Sequence, residues 1–271
     1  MAQEMLLGDG THSNLQGASE MRKSILTLSV AAALAAPGLV AAQTAPAPAA
    51  APSPVTGNMA IVSDYRFRGI SQTFELPAIQ GGIDYAHQSG IYLGNWNSSV
   101  SGLSFTDTAG IEMDFYGGWK KSFGDIGFDI GLLQYYYPGA KTGGGEEYNT
   151  LEGYIGASWK WLTLKYSHTF SDYFGLVNSD GSGYLDLGFT MEVAPKLTIV
   201  AHYGMQTIQN YGALDYNDWK LGVTYDLAGW ILGAAYIDTD ADSGLYTLTN
   251  SKGKSKDLGG STVVLSIMKT F

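Results

Sequence analysis

Charged residues at alternate positions are the feature of this chain most able to do chemistry. Asp64, Arg66 and Arg68 alternate with aromatic and apolar neighbours in the stretch SDYRFRGI. In an extended strand, alternate side chains lie on the same face, so these charges would line one surface. Acids and bases that face each other across a pore can orient and select small polar solutes. The same charges could instead pair with one another and fill a narrow barrel.

Single charges recur in the same way in the later apolar stretches. Asp129 is the only charge in IGFDIGL, and Lys165 is the only charge in LTLKYS. A charge that faces hydrocarbon is costly, so these side chains would point inward if the apolar face met lipid. The predicted inward set that carries selectivity is Asp64, Arg66, Arg68, Asp84, Glu112, Asp114, Lys120, Asp129, Glu152, Lys165, Asp186 and Lys220, and the same argument extends to Lys160, Glu192 and Asp226.

Strands with a period of two are the elements that must position these charges. The alternation is clear in LTIVAHY from Leu197 and in LDLGFTM from Leu185, and such a period predicts half-buried strands. The pattern predicts twelve strands, over 57–70, 77–87, 90–100, 108–122, 125–137, 147–160, 161–171, 182–194, 196–207, 214–226, 230–240 and 260–271.

The connections indicate which face looks outward, because a soluble barrel shows the same alternation with its apolar side inside. Tight turns are predicted at Gln88–Ser89, Phe123–Gly124, Lys160–Trp161, Ala194–Pro195 and 227–229, and longer joints at 71–76, 101–107, 138–146, 172–181, 208–213 and 241–259. Tight and long joints therefore alternate, as periplasmic turns and outer loops do in bacterial outer-membrane barrels. The predicted fold class is all-β, a transmembrane antiparallel up-and-down β-barrel with both termini periplasmic.

Aromatic residues near the strand ends agree with this orientation, since amphipathic rings gather at membrane interfaces. The alternative is ordinary strand aromatics in a soluble sandwich. The predicted periplasmic girdle contains Trp119, Trp159, Trp161, Tyr225, Trp230 and Phe271, and the predicted outer girdle contains Phe67, Tyr136, Tyr173 and Tyr216.

Composition narrows the classes further. The 271 residues include 36 glycines, 18 tyrosines and no cysteine, which favours strands over helices and excludes a disulfide framework. The net charge of −10 argues against nucleic acid as a partner. Beyond the N-terminus, no apolar run approaches the roughly 20 residues of a transmembrane helix.

The N-terminal residues resemble a targeting segment followed by a spacer. Residues 21–42 carry a short cationic start, an apolar run and small residues before Gln43, the order expected of a cleaved signal peptide. The sequence predicts that residues 1–20 are a non-native or misassigned extension and that 43–54 is a Pro/Ala-rich linker. The barrel domain is predicted over 55–271.

The final strand ends on an aromatic residue. Val263, Leu265, Ile267 and Phe271 share one face, which is similar to the C-terminal insertion signal of outer-membrane barrels. Lys269 departs from that pattern, although a lysine near the interface can extend its ammonium to water at small cost.

Catalytic and metal-binding motifs are weak. His168 could act with a serine as a lipid-acting enzyme in the membrane, but strand pairing would place Gly153 opposite it and offers no serine nearby. His87 and His202 are interpreted as isolated. The stretch 238–244 is similar to the start of a calcium loop, yet Thr249 stands where the bidentate glutamate belongs. No cofactor and no metal site are expected.

The opening of the barrel carries a family resemblance. The segments GNMAIVSDYRFRGISQT over 57–73 and PAIQGGIDY over 77–85 resemble the TorF family of porins, conserved proteobacterial proteins of unknown role. The resemblance implies a Gram-negative outer-membrane location and a channel, and it transfers no catalytic residue.

We therefore predict a narrow channel for passive diffusion of small hydrophilic solutes or ions. The alternatives are a lipid-acting enzyme and a plugged structural or adhesive barrel. Expected partners are outer-membrane lipids and lipopolysaccharide, the barrel-assembly machinery and small polar solutes.

Overall fold

A closed antiparallel barrel of twelve strands forms the fold. The computed structural model describes residues 53–101, 109–250 and 253–271. The strands follow one another around the barrel in chain order, and the last strand pairs with the first. The barrel strands are β1 (Val55–Val62), β4 (Ala78–Ala86), β5 (Ile91–Ser99), β6 (Ile111–Phe123), β7 (Ile126–Tyr136), β8 (Thr150–Trp159), β9 (Leu162–Thr169), β10 (Gly183–Ala194), β11 (Leu197–Thr207), β12 (Tyr216–Leu227), β13 (Trp230–Thr239) and β16 (Thr262–Thr270).

Two small hairpins lie in the connections and do not belong to the barrel wall. They pair β2 (Arg66–Phe67) with β3 (Ile70–Ser71), and β14 (Thr247–Thr249) with β15 (Ser255–Asp257). A 3₁₀ turn at Gly212–Leu214 and a four-residue helix at Ser243–Tyr246 occupy other connections. Within the described ranges, no helix is long and apolar enough to cross a membrane.

The predicted barrel is confirmed, with one exception among its strands. Eleven strands lie within three residues of their predicted bounds, but the first ends at Val62 instead of residue 70. The predicted tight turns, which join the strands at the end of the barrel opposite the long connections, are also present. Their geometry follows from left-handed residues such as Lys160 (φ 54°), Lys196 (φ 69°) and the pair Ala228–Gly229 (φ 55° and 81°), which match the twist of a two-residue hairpin.

The outer wall of the barrel is apolar. Alternate residues of each strand expose large hydrophobic side chains, with Ile79 67% exposed, Leu221 62% exposed and Val263 59% exposed. Their neighbours in sequence point inward, and most of them are small, polar, charged or aromatic. Soluble monomers rarely expose a continuous apolar surface of this kind.

The aromatic girdles are only partly as predicted. Trp159, Trp161, Tyr225, Trp230 and Phe271 are exposed at the end that carries the tight turns, and Tyr136 is exposed at the other end. The prediction for the remaining outer girdle was wrong, because Tyr173 and Tyr216 are buried and Phe67 packs in the interior core. Phe67 and Tyr173 belong to connecting segments that bend into the barrel, whereas Tyr216 is the first residue of β12 and points inward from the wall.

The apolar side chains of the closing strand lie on the outer face, as the pattern predicted; they are Val263, Leu265, Ile267 and Phe271. Lys269 pairs with Met59 on one side and Trp230 on the other, and its ammonium lies 5.2 Å from the centre of the Trp230 ring. A cation over an indole face is attracted to it, which gives this lysine a partner at the barrel rim. The predicted extension 1–20, the signal peptide 21–42 and most of the linker 43–54 lie outside the described residues.

Candidate functional site: the lumen and its inner loop

A loop folds into the barrel directly after β1, and we call residues 63–77 the inner loop. Tyr65, Ile70 and Phe74 in this loop are almost completely buried. The prediction that Asp64, Arg66 and Arg68 lie on a wall strand was therefore wrong. These residues lie on a loop in the interior, because buried acceptors on the wall and on another connection pair with the two arginines there.

Asp64 closes the inner loop on itself. Its carboxylate accepts hydrogen bonds from Ser71 Oγ at 2.6 Å and Thr73 Oγ1 at 2.9 Å, and it forms an ion pair with Arg66 Nε at 2.5 Å. The backbone N–H of Tyr65 donates to Thr73 Oγ1. A buried carboxylate is tolerated only with such partners, so Asp64 is the internal anchor of the loop.

Arg66 ties the inner loop to the last long connection, residues 240–261. Its Nη1 donates to the carbonyl oxygens of Gly69, Leu258 and Gly260 at 2.9 to 3.0 Å. A planar guanidinium can serve several acceptors at once, so one side chain fixes two segments that are distant in sequence.

Arg68 fixes the tip of the inner loop to the opposite wall. Its Nη2 donates to both carboxylate oxygens of Glu152 at 2.8 Å, and Nη1 donates to Gln206 Oε1 at 2.8 Å. The guanidinium also lies 4.7 Å from the Phe67 ring centre and 4.2 Å from that of Tyr184. Burial, the largest single effect, lowers the pKa of Arg68, but the combined influence of Glu152 and the surrounding tyrosines outweighs it and the pKa is raised.

An aromatic cluster fills the rest of the outer half of the lumen. Tyr65 and Tyr137 each donate a hydrogen bond of 2.8 Å from the phenol to Glu112, while the Phe67 and Phe174 rings pack edge to face 5.5 Å apart. Burial, followed by the charge of Glu112, raises the pKa of Tyr65 and Tyr137 well above the ordinary value. Both phenols therefore stay protonated and donate their hydrogen bonds to the Glu112 carboxylate.

The half of the lumen nearer the tight turns is less completely filled. Asp84, Lys120 and Asp129 are only partly buried there. Tyr116 donates to Asp84 at 2.5 Å, and Tyr92 donates to Asp129 at 2.6 Å. The interior thus consists of a packed outer half and a wetter half with mixed charges.

His202 is not isolated, contrary to the sequence-based interpretation. Its Nδ1 lies 2.8 Å from Asp186 Oδ1, its Nε2 lies 2.6 Å from Asp218 Oδ1, and the Tyr184 phenol donates to Asp218 Oδ2 at 2.8 Å. The three strands that carry these residues are neighbours, so cross-strand register brings them together. The charge at Asp218 repeats the period-two pattern and could have been included in the predicted set.

A small cavity lies between the tip of the inner loop and this wall. Its volume is about 90 Å³. Its charged lining consists of four basic side chains and the cluster of His202 with its two aspartates. The side chains concerned, with one serine, are Arg66, Arg68, Lys165, Ser167, Asp186, His202, Asp218 and Lys220. Members of the predicted inward set from β9, β10 and β12 thus meet the loop arginines here.

The enzymatic and calcium interpretations gain nothing from the structure. His168 pairs with Gly153 as predicted and packs against Phe170 with ring centres 5.5 Å apart. Asp242, in the calcium-like stretch, accepts a hydrogen bond from the backbone of Gly244 and caps the short helix. Among the described residues, no group of His, Asp and Glu is arranged to hold a metal ion.

A family model described as a bacterial protein of unknown function, Gcw_chp, matches residues 46–271. The chain belongs to the Gcw_chp family. No curated protein matches it significantly. The match confirms that the chain belongs to a bacterial family without an assigned function. It does not test the TorF name, which stays a prediction.

Solved porins resemble this Gcw_chp barrel in shape. The KdgM porin in complex with disordered oligogalacturonate has a TM-score of 0.50 at 8% identity, covering 80% of this chain and 98% of that one. The NanC porin gives 0.48 at 11% identity, with 80% and 98% covered. The Acinetobacter baumannii outer-membrane protein Omp33 gives 0.44 at 6% identity, with 81% and 98% covered. At such identities, the KdgM likeness shows the fold alone.

Proposed function

We propose that this protein is an outer-membrane porin that passes small hydrophilic solutes or ions by diffusion, and that it is a TorF-type member of the Gcw_chp family. The observation that carries the proposal is the closed barrel with an apolar outer wall and a charged interior. A barrel of this kind satisfies every wall backbone group internally, which is what hydrocarbon demands. A soluble barrel would place the apolar face inside.

The exposed tryptophans at the tight-turn end support a periplasmic orientation of that end, and both ends of the barrel chain lie there. Outer-membrane lipids, including lipopolysaccharide, would then surround the apolar wall, and the barrel-assembly machinery would receive the strand that ends at Phe271. The charges of the wetter half, including Asp84, Lys120 and Asp129, would contact the solutes.

Passage of a solute requires the inner loop to move. Arg68 and the aromatic cluster close the outer half, and the cavity beneath them is about 90 Å³, far below the 300 to 1,000 Å³, roughly, of pockets that hold drug-sized molecules. We infer that this arrangement is the closed form of the proposed channel and that the inner loop would act as its gate.

Single-channel recording on refolded protein in planar bilayers tests the proposal. We expect small, intermittent conductance steps that become longer when contacts of the inner loop are removed. Complete absence of steps, both in the natural sequence and in variants with a loosened loop, would refute a channel.

The absence of conductance steps in both the natural sequence and the loosened-loop variants would favour a plugged structural or adhesive barrel. The packed outer half of the lumen is the observation that supports this alternative. The lipid-acting enzyme has no such support, and a phospholipase assay with His168→Ala as the control addresses it.

A further inference from the structure

The cavity beneath the inner loop has room for a small polyatomic ion. A single buried water needs roughly 10 to 15 Å³ measured in this way, and the cavity volume is about 90 Å³. Its walls come from the loop tip and from strands β9 to β12. Because Lys165 and Lys220 are only partly buried, the cavity borders the wetter half of the lumen.

The basic side chains of the lining differ in whether they already have a partner. Arg66 is paired with Asp64, and Arg68 is paired with Glu152. Lys220 donates no hydrogen bond and forms no ion pair within 4.0 Å in the part of the chain that the structure describes. Asp186 and Asp218 act on Lys220 through their charges, but neither carboxylate lies within 4.0 Å of it among the described residues. Lys220 therefore lacks a hydrogen-bond acceptor, which is costly for an ammonium that is partly withdrawn from water.

The two carboxylates of the lining do not fill that role. Asp186 and Asp218 both turn an oxygen to His202, and the second oxygen of Asp218 accepts the Tyr184 phenol. These contacts hold the acids along the wall between neighbouring strands. The donors of Lys220 therefore face a space in which an acceptor from outside the chain would be stabilised.

We propose that this cavity binds the carboxylate group of a small anionic solute, with Lys220 as the main contact and Arg68 beside it. The assignment deepens the proposed channel function and rests on it, since the solute enters through the lumen. A singly charged carboxylate fits better than phosphate, because both arginines already have their own carboxylate and only one ammonium lacks an acceptor. Charge-assisted hydrogen bonds of this type are the strong ones.

Binding is tested on the refolded full chain in detergent with ¹³C-labelled acetate, followed by NMR line broadening. Acetamide, which has the same shape and no charge, is the control ligand, and phosphate is the competing one. We expect acetate to bind and acetamide not to bind. Lys220→Met should weaken acetate binding by about tenfold or more, as the loss of one charge-assisted hydrogen bond implies, and Lys220→Arg should retain most of it.

Lys121→Met is the control, since Lys121 is an exposed lysine of the same barrel that lies outside the cavity lining; we expect its acetate affinity to equal that of the natural sequence. Equal affinity in Lys220→Met and the natural sequence, or equal binding of acetate and acetamide, would overturn the site. Tighter binding of phosphate than of acetate would overturn the carboxylate assignment.

The two proposals fail separately. Acetate binding without any conductance would retain this site and remove the channel, whereas conductance without Lys220-dependent binding would retain the channel and remove the site. A gel-mobility shift on heating confirms that each variant has folded before it is measured.

Discussion

Replacing Arg68 with methionine should open the barrel. The guanidinium is 7% exposed and its partner Glu152 is 2% exposed, so the substitution leaves a buried carboxylate without its cation. Breaking a buried ion pair costs about 3 to 5 kcal/mol. The Tyr135 phenol still donates to Glu152 at 3.3 Å, which places the expected cost near the lower figure.

This cost falls on the closed form alone, because water solvates Glu152 once the inner loop has left. At about 1.4 kcal/mol per factor of ten, 3 kcal/mol shifts the balance between closed and open forms by roughly two orders of magnitude. The assay is the open probability in single-channel recordings at fixed voltage. Glu152→Gln, which removes the other charge, should change it in the same direction.

Two further variants make the test sharper. The double substitution Arg68→Met with Glu152→Leu removes both charges and should bring the open probability back toward that of the natural sequence. Lys256→Met is the control for a second contact of the inner loop, because Lys256 of the last long connection pairs with Glu75 at 2.8 Å and donates to the Phe74 carbonyl at 3.0 Å. This pair is more exposed than that of Arg68 and Glu152 and should contribute about 1 kcal/mol or less. An unchanged open probability in Arg68→Met, or one no larger than in Lys256→Met, would refute the idea that Arg68 holds the gate.

Other perturbations probe the fold and the loop separately. Gly69→Ala should displace the loop tip and raise the open probability, because Gly69 has φ 82° and an added Cβ would lie 2.4 Å from Thr239 Cγ2; an unchanged open probability would argue against this packing. Leu221→Lys should reduce refolding yield in vesicles, since a lysine at mid-depth on a lipid face costs about 2 to 4 kcal/mol, and an equal yield would argue against a lipid-facing wall. Lys269→Phe should raise the yield of assembled barrel in the outer membrane, because it restores the apolar pattern of the C-terminal insertion signal. Lys121→Phe, which lies outside the closing strand, is the control, and an equal yield in both variants would argue against this role of the closing strand. Burial, which is only partly opposed by Arg68, raises the pKa of Tyr173 to about 12 from 10.0. The stability that the protonated Tyr173 phenol contributes is therefore present below pH 10 and lost as the pH rises to 12. In Tyr173→Phe, the urea concentration at the unfolding midpoint should fall less steeply over that pH interval than in the natural sequence.

The sequence predicted the wall well because the wall depends on local patterns. Alternation in stretches such as LDLGFTM sets which residues share a face, and hairpin turns such as Ala228–Gly229 set where each strand ends. Neither signal needs knowledge of distant residues. The same pattern placed Glu152, Lys165, Asp186 and Lys220 on inward faces, which is where the structure has them; their role in selectivity stays a prediction.

Alternation failed at the first strand for a related reason. Residues 64–68 alternate polar and apolar side chains as a wall strand does, yet the chain leaves the wall at Val62. The partners that make the inward route favourable are Glu152, Gln206 and the carbonyl oxygens of Leu258 and Gly260. They lie 84 to 194 residues away in sequence, so no local pattern identifies them.

By itself, then, the sequence determined a closed barrel of twelve strands, the pairing of His168 with Gly153 and the inward charges of the later strands, because each follows from neighbours within a strand or a turn. The tertiary structure alone decided that the inner loop fills the outer half, that Arg68 pairs with Glu152, and that His202 lies between Asp186 and Asp218. Buried charges are stable only where partners surround them. Arg68 reaches its partner on the opposite wall, and His202 reaches its partners on the two neighbouring strands, so only the folded barrel brings these groups within reach.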